Sequence, residues 1–100
     1  MILYNVTVNI DSLIEADWLK WMKEVHIPDV MATKLFVENK IFKLLIDEEQ
    51  GTSYSIQYFA KSMTEIDQYQ KEFADKLQTE HALKYKDRFV AFRTMMELVD

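Results

Sequence analysis

The chain opens on an alternation. Ile2, Tyr4, Val6, Val8 and Ile10 fall on one side and Leu3, Asn5, Thr7 and Asn9 on the other. A two-residue period rich in β-branched side chains predicts a strand over 2–10, buried on one face. Ser12 followed by Glu15 has the spacing of a capping box, and Ile14, Trp18, Trp21, Met22 and Val25 then recur at helical spacing. Pro28 removes a donor and crowds the preceding turn, so it is expected to end this helix. A proline also suits a first helical position, which predicts a second short helical piece over 28–33, set at an angle to the first.

Two further strands are predicted over 35–46 and 52–61, joined by the polar turn Asp47, Glu48, Glu49, Gln50, Gly51. Setting Ile46 opposite Thr52 places Leu44 against Tyr54 and Phe42 against Ile56. Ser62 with Glu65 gives a second capping box. Ile66, Tyr69, Phe73 and Leu77 carry a helix to about residue 80. Residues 81–87 are then a fraying end and loop, and 88–97 a last strand.

The order β-α-β-β-α-β predicts an α+β ferredoxin-like sandwich, one domain over 1–100. Its four antiparallel strands run fourth, first, third, second, with both helices on one face. The helices should cover Tyr4, Val6, Val8, Phe42, Leu44, Tyr54, Ile56 and Tyr58. The opposite face collects Leu3, Asn5, Thr7, Asn9, Ile41, Lys43, Leu45, Ser53, Ser55, Gln57 and Phe59. The last strand adds either Phe89, Ala91, Arg93 and Met95 or Val90, Phe92, Thr94 and Met96 to that open face. The first set is preferred, because Val90 and Phe92 suit a core. Such a face is too apolar for full exposure and too polar for a dry interior. The expectation is a homodimer packed sheet to sheet around a partly polar cavity; the alternative is a monomer whose sheet faces water.

Composition removes whole chemistries. One Gly and no Cys leave no glycine-rich phosphate loop, disulfide frame, zinc knuckle or thiol nucleophile. Acidic residues number 17 against 12 basic, a net charge of −5, with the basic ones scattered, which argues against nucleic acid as a partner. No apolar run is long enough to span a bilayer, and Met1 leads straight into a strand without the pattern of a signal peptide, so a cytoplasmic location is expected.

Two His and two Arg concentrate the candidate chemistry. His26 lies three residues before Asp29, a spacing that suits an imidazole oriented by a carboxylate as a general base; the plainer reading is a polar residue at a helix C-terminus. Arg93, mid-strand, is an anchor for a carboxylate or phosphate beside Asn5, Thr7 and Gln57, or else a partner for Glu38 or Glu97 at an interface. Trp18, Trp21, Met22, Tyr54, Tyr58 and Tyr69 have the spacing of core residues, and His81, between Glu80 and Lys84, reads as solvated. Neither His has a metal-ligand spacing, and the acidic run 47–49 lacks the pattern of a calcium loop, so no metal and no cofactor are expected.

The stretches MILYNVTVNI, WLKWMKEVHIPDVMATKLF, YSIQYF and RFVAFRTMMELV resemble, over nearly the whole chain, a family of short bacterial proteins known only as a domain of unknown function. That resemblance implies no activity and no catalytic residue. The fold pattern also resembles the dimeric α+β barrel superfamily, whose members include cofactor-free monooxygenases, small isomerases and haem-degrading enzymes. Three functions stay open: a dimer binding a small acidic or aromatic molecule, a cofactor-independent enzyme with His26 as base and Arg93 as anchor, and an interaction module without a ligand.

Overall fold

The computed structural model describes all of residues 1–100. It places β1 at Ile2–Ile10, α1 at Glu15–Trp21, α2 at Ile27–Met31, β2 at Glu38–Lys43 and β3 at Thr52–Ala60. Then follow α3 at Met63–Glu72, α4 at Ala74–Lys84 and β4 at Phe89–Glu97. The four strands are antiparallel in the order β2-β3-β1-β4, as the sequence predicts, with β1 and β3 central.

Pro28 does not break the first helix. A π-helical turn over Met22–His26 joins α1 to α2, and the Ile27 N–H donates to the Met22 carbonyl, five residues back. The wider turn moves the hydrogen-bond register just ahead of the residue that has no N–H to give. It also keeps Met22, His26 and Val30 on the inner side of one continuous helical run. The expected cap is displaced by one residue: the Asp11 carboxylate, not Ser12, accepts from the Leu13 N–H at 2.9 Å, and Glu15 accepts from the Tyr54 hydroxyl at 2.5 Å. At α3, the Ser62 hydroxyl bonds the Glu65 carboxylate. The helical stripe does not stop near residue 80. The backbone breaks at Phe73 (φ −128°) and restarts as α4, which reaches Lys84.

Two strand faces differ from the expectation. In β4, Val6 pairs with Arg93, Val8 with Ala91 and Ile10 with Phe89, so Phe89, Ala91, Arg93 and Met95 share the helix-covered face. Val90, Phe92, Thr94 and Met96 take the open one. The register is set at the strand's start. Arg88 pairs with Asp11 at 2.8 Å, and the Asp11 N–H donates to the Arg88 carbonyl at 2.9 Å, which pins the entry of β4 to the end of β1. In β2, Ile41 pairs with Ile56 and Phe42 with Ser55, which sends Phe42 outward and Ile41 inward. The strand is shorter than expected because Leu44 to Gly51 form a longer loop. That loop is tied down by Ser53 donating to Glu48 at 2.6 Å and Asn9 donating to the Gln50 carbonyl at 3.1 Å. Leu45 and Ile46 are consequently exposed. Gly51 closes the loop at φ +71°, where a Cβ would stand 2.5 Å from the Asn9 side-chain oxygen.

The core lies between the sheet and the helices. Trp18, Ile10, Ile56, Ile66 and Val30 are essentially inaccessible, each apolar side chain contributing about 1.5–3 kcal/mol by burial. Tyr4, Phe36, Tyr58 and Tyr69 pack edge-on around one another, with Phe36 and Tyr69 centroids 5.0 Å apart. No helix is long and apolar enough to cross a membrane.

Candidate functional site

The helical runs α1–α2 and α4 stand over the sheet with a cleft of about 240 Å³ between them. Its floor is Val6 and Val8 of β1, Ile56 of β3 and Ala91 of β4. Its helical wall is Met22, His26 and Val30 on one side and Gln78, His81 and Ala82 on the other. Tyr4, Tyr58 and Tyr69 close one end, and Phe89 lies at the other. Arg93 lines it from the edge strand, in the row of Val6 and Ile56. No Asp or Glu lines this cleft, although the chain carries 17 of them.

His81, expected in solvent, is buried and belongs to this site. It continues the inner stripe Ala74, Leu77, His81 of α4, a spacing of three and four residues. Its Nε2 accepts from the Trp18 indole N–H at 2.9 Å, so in the neutral ring the proton sits on Nδ1. Phe89 meets the ring edge-on at 4.4 Å. His26 stacks on Trp21 at 5.3 Å and lies 5.7 Å from His81, centroid to centroid. Burial pushes the His26 imidazole down to about 4; Asp29 opposes that shift from a distance, and the Arg93 charge adds to it. Burial, His26 and Arg93 likewise push His81 down to about 4. Both rings are neutral at pH 7.

Asp29 is exposed and makes no bond to His26, so the expected His–carboxylate pair does not form. Two buried polar side-chain atoms in the molecule lack a partner, His26 Nδ1 and the Tyr58 hydroxyl, and both residues line the cleft. Burial pushes the Tyr58 hydroxyl far up, so it stays a neutral donor. An unpartnered buried polar atom costs about 1–3 kcal/mol, and both of these atoms are sealed from solvent behind the cleft wall.

The other expected ligand residues lie elsewhere. Asn5, Thr7 and Gln57 are on the open face, separated from Arg93 by the sheet itself. They satisfy one another. Asn5 donates to Thr7 at 3.0 Å, Ser55 donates to Asn5 at 2.6 Å, and Gln57 donates to Ser55 at 3.2 Å. Arg93 forms no ion pair; Glu38, one suggested partner, is bound by Lys40, and Glu97 makes no salt bridge. No group of three or more His, Cys, Asp or Glu is placed to hold a metal ion.

The chain belongs to the family described as a domain of unknown function, DUF4286, whose pattern matches residues 1–99. No curated protein matches it in sequence. Solved structures share its fold at low identity. A dimeric ferredoxin-like protein from an uncultured marine organism is 18% identical with a TM-score of 0.71, covering 100% of this chain and 96% of the other. An ethyl tert-butyl ether d (EthD) family protein from Bacillus halodurans is 11% identical (TM-score 0.67; 99% and 100% covered). An antibiotic biosynthesis monooxygenase is 12% identical (TM-score 0.65; 100% of both chains covered). The fold is therefore the ferredoxin-like α+β type of those proteins.

Proposed function

We propose that this protein binds a small aromatic acid in the cleft between helices and sheet, with Arg93 holding the carboxylate. The observation that carries the reading is an unpaired guanidinium in the wall of an otherwise uncharged, mainly apolar cleft from which every carboxylate side chain is absent. Apolar floor and aromatic ends suit a ring, and Arg93 suits a planar anion. The volume, about 240 Å³, suits a molecule of one or two rings. Asn5, Thr7 and Gln57 drop out of this site because the sheet stands between them and Arg93.

Benzoate and its neutral isostere benzamide test this by calorimetry. The protein is expected to prefer benzoate. Arg93→Gln should lower benzoate affinity about 30-fold, about 2 kcal/mol for a charge-assisted contact, and erase the preference. Equal affinity for the two probes in the unaltered protein, or no binding of either, overturns the reading.

A second reading is a cofactor-independent enzyme of the monooxygenase or isomerase type, with His26 as base. It is favoured by the neutral imidazole whose Nδ1 has no protein partner. Asp29 has no part in it. His26→Gln separates the readings, since an enzyme would lose turnover at saturating ligand and a binding protein has none to lose.

The assembly in this reading is a homodimer through the open sheet face. Phe42, Val90, Phe92 and Met96 are exposed there, and a structural neighbour at 18% identity is described as dimeric. Phe92→Lys places a charge midway along the β4 edge of that face and should turn a dimer into a monomer by light scattering. An unaltered protein that is monomeric at high concentration would contradict this assembly.

A further inference from the structure

Arg93, His26 and His81 converge on one cleft from three different elements, β4, the π-helical turn and α4, and no acidic side chain joins them. In the free protein the guanidinium is the only formal charge in the wall. Its field works against a proton on either ring. A carboxylate seated on Arg93 offsets that field at the imidazoles. Its negative charge favours a proton on a nearby imidazole, with Arg93 itself standing exposed to solvent at the edge of the cleft.

The two rings are not equivalent acceptors. His81 Nε2 is already occupied by the Trp18 N–H, and protonating it would break that buried bond. His26 Nδ1 is buried and has no partner to lose. We propose that the cleft binds its anion together with one proton, which His26 takes up as the carboxylate settles on Arg93. This rests on the aromatic-acid reading above and adds a linkage to it: binding tightens as pH falls.

The other groups around His26 leave this assignment standing. On its own helical run Asp29 favours the proton and the Trp21 ring stacks on the imidazole. From α4 come His81 and, beyond Trp21, Tyr85 and the Lys84 ammonium, 5.8 Å over the Trp21 ring. From β4 comes Arg93. The phenols Tyr58 of β3 and Tyr69 of α3 are neutral, held far up by burial.

The test is titration of the full chain with benzoate at about pH 6, in several buffers of different ionisation heat, where benzoate itself is fully ionised. Net proton uptake is expected on benzoate binding, at most about one per benzoate, and affinity should fall as pH rises from 5 to 7, by less than about tenfold per pH unit. His26→Gln should bind more weakly, with no uptake and little pH dependence. Long-range ¹H–¹⁵N spectra of the unaltered protein follow the His26 ring without a substitution, and should show it protonating at higher pH with benzoate than without. Benzoate binding whose heat is independent of buffer refutes the proton linkage while leaving the anion site intact. Uptake that survives in His26→Gln refutes the assignment to His26. Failure of benzoate to bind at any of these pH values refutes the anion site and the linkage with it.

Discussion

Lowering the pH from 7 to 4 is expected to remove up to about 3 kcal/mol of folding stability for each of His26 and His81. In the unfolded chain both rings take the ordinary value near 6.5; in the fold, burial pushes each down to about 4. Between those values the unfolded state binds more protons than the folded one. The stabilisation held by the neutral rings is therefore complete above about 6.5 and is lost as pH falls through that window. Set against a typical total of about 5–15 kcal/mol, the two together bring the protein close to unfolding. The Asp11 and Glu65 carboxylates, held low by their hydrogen bonds, act in the same direction at the acid end. Urea unfolding at pH 7, 6, 5 and 4 measures the slope. His81→Phe, which cannot take a proton, should reduce it by about one proton's worth. A stability flat from 7 to 5 would mean that the rings are solvated.

Trp18→Phe is the second large effect. Trp18 is fully buried, and its N–H is the partner of His81 Nε2. Phenylalanine leaves a void where the indole's second ring stood and a buried nitrogen without a donor. Unpairing that nitrogen costs about 1–3 kcal/mol, to which the void adds, for a total of about 3 kcal/mol. Pairing the change with His81→Leu removes the stranded acceptor. The double variant should then be less destabilised than the sum of the two single ones, by about 1 kcal/mol or more. Strict additivity would show that the Trp18–His81 bond carries no energy of its own.

The topology was legible because its signals are local. The alternation over 2–10, the stripe from Ile66 to Leu77 and the polar turn before Thr52 each name an element, and handedness rules then leave one strand order. The faces were less legible where neither face is polar. Every residue from Phe89 to Phe92 is apolar, so alternation cannot choose between odd and even positions. The choice is made by the Arg88–Asp11 pair, between residues 77 apart in sequence. Leu45 and Ile46 look like strand but lie in a loop, because the β2–β3 register is fixed by pairs farther along. That one-residue slip exchanges Ile41 and Phe42 between faces.

The same limitation displaced the candidate site. The expected β4 face grouped Arg93 with Asn5, Thr7 and Gln57, whereas the structure places it on the helix-covered face with His26. His81 was hidden by its neighbours Glu80 and Lys84, which suggest solvent. The stripe Ala74, Leu77, His81, Tyr85 places it inward once the helix is allowed to run on to Lys84. Pro28 misled in the opposite direction. A helix can absorb a proline by widening the turn before it, and here that turn carries His26 into the cleft.

The central claim is that the ligand lies under the helices and not on the open sheet face. Nuclear Overhauser effects from the ring protons of bound benzoate to assigned methyl groups test it most directly. Contacts to Val6, Val8, Ile56, Ala82 and Ala91, which line the cleft, are the predicted result. Contacts to Thr7, Val90 and Met96, on the opposite face, would contradict it.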